Sequence, residues 1–485
     1  MSRYEHGIIS SEKPTAVAKP TAVESALGVV IGTAPINLLK DPYSVTNKPI
    51  LLTSYQEAVE KVGFSYDFKN YTLCQSIYVR FKKFFVSPVV VINVLDPNEH
   101  KSDVAAASFT ITNKKIAIDV QGILLDKIQV KSEEGATTYI AGTDYVASFT
   151  NEGTVAIAII AGGAIGSAAT VKVSYTKIDP SKVTEADIIG GYDTATRKRS
   201  GIDCVNMVYP LTGMVPSQLL APGWSHIPSV AAMLSSKTYL INGLFNIISL
   251  TDIDTDELET LEEIQTYKEE NGHDDLNNIA CYPKVIVDGY EMYYSAVVDA
   301  VIARTDVINA GPYASPSNKV IAIDGTCIEG GEEILLDIYE ANEMNGAGVV
   351  TAINLNGWHI WGNEMGCYPA NQDVKDRFIV CRRVFNYQDT SFKLRFFEKV
   401  DDPTNYRLID AIVSEENLML STLASQGRIA GGSLSFDMDK NPISNILDGH
   451  IIFERKLSPF TPAKVIETVT EFDPTLNSAA LTGGE

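Results

Sequence analysis

Between Asp103 and Ile178 the hydrophobic pattern of this 485-residue chain changes period, and that change limits the folds open to it. FTITNKKIAIDV (109–120), TTYIAGTDYVASF (137–149) and ATVKVSYTKI (169–178) alternate apolar and polar residues in short runs rich in Thr, Val and Ile. Residues two apart share one face of a strand, so the segment predicts a small antiparallel β domain. On either side the signal differs. LGVVIGTA (27–34), ILLTS (50–54) and VSPVVVINVL (86–95) are continuous apolar runs, as expected of strands buried on both faces. Between them, Ser54-x-x-Glu57 predicts a capping box and Gly63 a helix stop. The β segment therefore interrupts an α/β pattern.

The pattern resumes after Val183. It runs through VNMVYPL, a helix after Pro228, FNIISLTDI, an acidic helix from Asp254 or Thr255 to Glu270, KVIVDG, KVIAIDG and a helix from Glu332 to Glu343. The last part, from Ile353, holds FIVCRRVFNY, a long helix and the strand IIFERKLSPF. That helix is predicted with Asp402 as N-cap and Pro403 in its first turn, ending at Gly427. The predicted fold class is α+β multidomain. Its divisions are an arm (1–26), a first part of the α/β core (27–102), an inserted β-sandwich-like domain (103–178), the central α/β core (179–352), a C-terminal domain (353–462) and a C-terminal arm (463–485).

Both ends read as extended pieces. KPTAV occurs at Lys13 to Val17 and again at Lys19 to Val23, and prolines so spaced forbid a helix and discourage a central strand. KVIETVTEFD (464–473) is β-branched enough for a strand, with Val465, Ile466, Val469 and Phe472 as its apolar positions.

Charge and composition exclude several classes. Asp plus Glu number 61 against 39 Lys plus Arg, a formal net charge of -22 that repels phosphate backbones, so nucleic acid is not an expected direct partner. The short basic run Arg197-Lys198-Arg199 reads as a solvated loop. The N-terminus lacks the charged start and apolar segment of a secretory signal. VAIAIIAGGAIGSAATV (155–171) is uncharged but too short and too rich in Gly and Ala for a membrane span, and predicts two buried strands joined by a Gly turn. The six cysteines form no C-x-x-C pair, so buried, reduced thiols are expected.

Three constellations could carry chemistry. In LLAPGWSHIP (219–228), Ser225 stands beside His226, but a nucleophile elbow needs Gly where this chain has Ile227. Ser225 is expected in a strand-end turn, near enough to cap the helix that Pro228 begins. Asp252, Asp254, Asp256 and Glu263 fall at calcium-loop spacing, but Glu257 occupies the position that must be Gly, so a helix N-terminus is expected instead. The six histidines form no zinc motif, and neither phosphate-binding glycine loop occurs. No catalytic residue, metal or cofactor is expected.

The C-terminal third carries a resemblance. WHIWGNEMGCYPANQDVKDRFIVCRRVFNY (358–387), the D-P-x-N-x-R-L-I-D run from Asp402 and the L-D-G-x-I-x-F strand resemble the contractile tail sheath proteins of phages and phage-tail-like bacteriocins. LGVVIGTAP followed by LLTSYQEAVEKVG, and LLAPGWS, resemble earlier parts of that family. The resemblance implies a subtilisin-like core and a structural role. Copies would form hexameric rings stacked into a helical sleeve around a tail tube, with baseplate and tail terminator proteins at the ends and no membrane. The particle would be assembled in the bacterial cytoplasm, and the sleeve would contract to drive the tube through an envelope. It also implies exchanged arms, here Lys13, Val17, Lys19, Val23 and the apolar positions of 464–473, and a tube-facing set, Arg382, Arg383, Arg395, Glu398 and Asp402, the equal alternative being that the Arg pair bonds within its own domain. The alternatives are a subtilisin-like hydrolase and a non-contractile polymerising shell or adhesin.

Overall fold

A computed structural model describes residues 24–256 and 261–482. Its centre is an eight-stranded sheet whose strands we number in chain order: β1 (Gly28–Gly32), β2 (Pro49–Leu52), β3 (Val89–Asn93), β4 (Gln218–Leu220), β5 (Ile248–Asp252), β6 (Asn278–Cys281), β7 (Val349–Asn354) and β8 (Trp358–Trp361). In space they run β8-β7-β6-β5-β4-β1-β3-β2. From β7 to β3 all neighbours are parallel, and each edge strand is antiparallel to its neighbour. The sequence accounts for this placement: GVVIG and VVVIN are buried at every position, whereas β2 begins with Pro49 and is only half-buried.

After β3 the chain leaves for the insertion and returns to pair β4 on the opposite flank of β1. The strand order thus reverses at β1, and the loops after β1 and β4 meet at the carboxyl edge, where open α/β sheets form crevices. The 16-residue helix Tyr294–Asn309 is buried along most of its length against the sheet. Its sequence, YSAVVDAVIARTDVIN, is apolar on nearly every side, as a helix inside a core must be.

The period-two segment forms two three-stranded antiparallel sheets. One joins Lys101–Thr110, Thr170–Ile178 and Gln129–Ser132; the other joins Lys115–Ile118, Val155–Ile159 and Tyr145–Phe149. They enclose a separate core of Ile116, Ile118, Val130, Ile157, Val171 and Val173 among others. The uncharged run 155–171 supplies one whole strand, Val155–Ile159, and only the first two residues of the next, the rest being turn and loop, which corrects the expected two strands. Among the described residues no helix is long and apolar enough to cross a membrane.

Downstream, the helices Ile379–Phe396 and Tyr406–Ser425 pack with a two-stranded hairpin, Gly431–Phe436 and Phe453–Ser458. All six cysteines are free and buried, and burial raises the thiol pKa of each.

Several local expectations are corrected. The long helix begins at Tyr406 with Asn405 as N-cap, its side chain accepting from Leu408 N–H at 3.1 Å; Asp402 lies outside it. The helix expected from Glu332 begins at Ile338, because Asp337 and Glu340 make a complete capping box. Ser54 accepts from Glu57 N–H at 3.2 Å, but the Glu57 carboxylate reaches Thr53, leaving the box at Ser54 half made. KVIVDG contributes Lys284–Val287 to a small separate sheet, and of KVIAIDG only Gly325 joins that sheet. VNMVYPL is helical. The segment 464–473 has no regular structure: a strand is stable only beside another, and this segment pairs with none.

Candidate functional site

The turn after β4 tests the catalytic alternative. Ser225 is fully buried; its Oγ donates to Asp252 Oδ2 at 2.8 Å and accepts from Asp252 N–H at 3.0 Å. Ser295 adds its backbone N–H at 2.8 Å and its hydroxyl at 2.5 Å to the same carboxylate. Burial holds the Asp252 carboxyl above the usual carboxylate range, against the lowering pull of these bonds. His226 stacks on Tyr293 with centroids 5.4 Å apart, and burial lowers its pKa. The constellation is a polar knot tying the β4 turn, the end of β5 and the start of the Tyr294–Asn309 helix. A nucleophile needs an open face, and Ser225 is fully buried with its hydroxyl shared between the Asp252 carboxylate and backbone N–H. Nor does Ser225 cap the helix Pro228–Ser236, whose N-cap is Ile227.

The acidic run is likewise local structure. Asp252 is committed to the two serines, and Asp254 accepts from Asp256 N–H at 2.9 Å. Residues 257–260, including Glu257, lie outside the described residues, and no cluster of three metal-ligating side chains occurs among the described ones.

The C-terminal end combines a small two-stranded sheet with exposed apolar side chains. Leu420 is buried in the core under the hairpin, and Asn417 clasps Leu434 by accepting from its N–H at 2.8 Å and donating to its carbonyl at 2.9 Å. Among the described residues neither hairpin strand has a second strand beside it, although Asn417 already occupies the Leu434 backbone groups. Just beyond lies the unstructured segment, with Val465, Ile466, Val469 and Phe472 exposed by 80%, 89%, 87% and 77%. Its root is fastened: Lys464 Nζ meets Glu364 at 2.9 Å, and Glu364 is itself held by Arg377. A sheet edge short of a strand and an apolar segment short of a sheet thus occur in one chain. Lys13, Val17, Lys19 and Val23 lie outside the described residues.

The five charges assigned to a tube interface divide. Arg383 is buried, 4% exposed, and its guanidinium grips Asp306 at 2.9 Å, so it is corrected from a surface charge to a core ion pair. Arg382 bonds to Asp376 at 3.0 Å and to Asn386 at 2.8 Å, and Arg395 to Glu416 at 2.7 Å, so both are committed within the chain. Glu398 and Asp402 are exposed. The sequence reading missed the partners of the buried arginines. A signal was present: Asp299 and Asp306 stand seven apart in a helix rich in Ala, Val and Ile, which places both on one stripe.

No protein-family model matches the chain. It is 27% identical over 490 residues, spanning 97% of both chains, to the tail sheath protein of Burkholderia phage BcepMu. The chain is thus similar along nearly its whole length to a contractile tail sheath protein. Its fold agrees with two solved sheath-system structures. A chain of the anti-feeding prophage baseplate superposes with a TM-score of 0.57 at 13% identity, over 97% of this chain and 100% of that one. A chain of the helical sheath of the same particle in its contracted state gives 0.57 at 12% identity, over the same shares. The curated relative it resembles is a structural tail sheath protein, not an enzyme.

Proposed function

We propose that the chain polymerises through exchanged arms into a helical sleeve of stacked hexameric rings around a tail tube, and that the sleeve shortens and widens to drive the tube through a bacterial envelope. The observation that carries this reading is the pairing of an open-edged two-stranded sheet with an exposed apolar segment. Docking residues 464–473 of one copy beside the hairpin of the next supplies the missing main-chain bonds and covers four apolar side chains. Residues 13–23 are the proposed second contribution to that shared sheet. Main-chain pairing is independent of side-chain detail, so it holds subunits together while their bodies rotate.

Energy for contraction is stored in assembly: the extended sleeve is metastable and the contracted one gains subunit contacts, so nucleotide plays no part. Baseplate and tail terminator proteins bound the sleeve in a phage or phage-tail-like particle assembled in the host cytoplasm. The tube-facing surface is the exposed turn with Glu398 and Asp402, whose screened charges release as the sleeve widens. The mostly parallel sheet with its buried helix supports the subtilisin-like description of the core, and the insertion's own hydrophobic core supports treating 103–178 as a separate domain. Removal of residues 463–485 tests the reading. The truncated chain is expected to keep its fold and lose polymerisation, measured by sedimentation; unchanged polymerisation would refute arm exchange.

A further inference from the structure

Ser25 and Ala26 mark the point where the N-terminal segment enters the fold, just before the first sheet bond, in which Leu27 O accepts from Ser217 N–H at 2.9 Å. Both residues are buried, and a buried carbonyl without a strand partner needs a donor. Here the donors are guanidinium groups. Arg383 Nη2 donates to Ser25 O at 3.2 Å and Arg80 Nη1 to Ala26 O at 3.2 Å, with Gln218 Nε2 adding a bond to Ser25 O at 3.4 Å.

Each guanidinium also grips a carboxylate on the central helix. Arg80 Nε and Nη2 meet Asp299 at 2.6 and 2.7 Å, and Arg383 Nη1 meets Asp306 at 2.9 Å. The two aspartates lie seven residues apart, two turns or ~10 Å along one helix face. The strand makes room for this: a Cβ on Gly28 would lie 2.5 Å from Arg80 Nη2 and 2.6 Å from Asp299 Oδ1. Burying two ion pairs carries a desolvation penalty that well-packed apolar side chains would avoid, so their value is in what they hold in place.

We infer that Arg80–Asp299 and Arg383–Asp306 form an anchor for the N-terminal arm, passing tension on residues 1–23 into the helices Tyr294–Asn309 and Ile379–Phe396 instead of letting it peel β1 from the sheet. This rests on the reading that the arm links neighbouring copies. The four charged residues are positioning residues: they touch the arm's root, not its partner. Two routes of load follow. Force entering through residue 1 meets charged bonds to two helices before it reaches a sheet bond, whereas force entering at the C-terminus bypasses them.

The test uses the full-length, unassembled chain. Hydrogen exchange on the unmodified protein should show the amides of 26–28 exchanging as slowly as those of the Tyr294–Asn309 helix; a root that frays on its own overturns the anchor. The paired variant Arg383→Met with Asp306→Leu should keep the thermal midpoint while exchange at 26–28 rises by roughly tenfold or more. In optical-trap pulling, its rupture force should fall when load enters through residue 1 and stay unchanged when load enters through the C-terminus. An equal fall in both directions would mean a general core contact and overturn the proposal. Should the paired variant not fold, Gly28→Ala, which displaces Arg80 and Asp299, is read in the same two ways. Electron microscopy of the unmodified chain separates the two claims: a slow-exchanging root in a chain that never forms tubes refutes the sleeve and leaves the anchor, and the reverse refutes the anchor alone.

Discussion

His273 is fully buried, with Nδ1 against the Thr251 hydroxyl at 2.8 Å, and burial pushes its pKa down from 6.5 to about 3. A histidine depressed in the folded state stabilises the fold above the unfolded value of 6.5, and that contribution is lost as pH falls toward about 3, because the unfolded chain takes up the proton first. Denaturant unfolding at pH 7 and pH 5 should therefore differ by about 2 kcal/mol from this residue, and His273→Gln should flatten the slope. The same scale shows what sequence can reveal about a site. Ser225 and His226 draw notice because they are adjacent, and Asp252 because it begins an acidic run. Adjacent residues do not make the pair; the parallel register of β4 and β5 brings Ser225 to Asp252 across 27 positions. Arg382 and Arg383, neighbours in sequence, diverge because successive helical residues point about 100° apart, one toward Asp376 and the other into the core toward Asp306.

At the scale of elements, the continuous apolar strands and the period-two insertion are legible because burial on two faces and burial on one leave different patterns. Helix starts are less so. Asp402, Pro403 and Asn405 all suit a helix beginning, and only geometry chooses Asn405. Asn405→Ala should cost about 1 kcal/mol of stability, while Asp402→Ala should cost almost nothing, a difference visible in paired thermal melts. Leu420, fully buried under the hairpin, should cost about 2–5 kcal/mol as Leu420→Ala and loosen the hairpin, measured by hydrogen exchange at 431–436. The strand expected at 464–473 has a different cause of failure: its residues are those of a strand, but strand formation needs a paired neighbour, and the segment has none.

For the whole molecule, the eight-stranded body and the insertion each enclose a core, while the C-terminal segment leaves large apolar side chains in water. The chain carries a net charge of -22, and its two-stranded C-terminal sheet has no third strand among the described residues. The sheath account assigns that incompleteness to assembly and gives the terminal arms the work of holding moving subunits together. The most direct measurement is negative-stain electron microscopy of the purified full-length chain beside the chain ending at Pro462. The account predicts hollow tubes of uniform width from the first and dispersed particles from the second. Dispersed particles from the full-length chain across salt and concentration, or equal tubes from both, would contradict it.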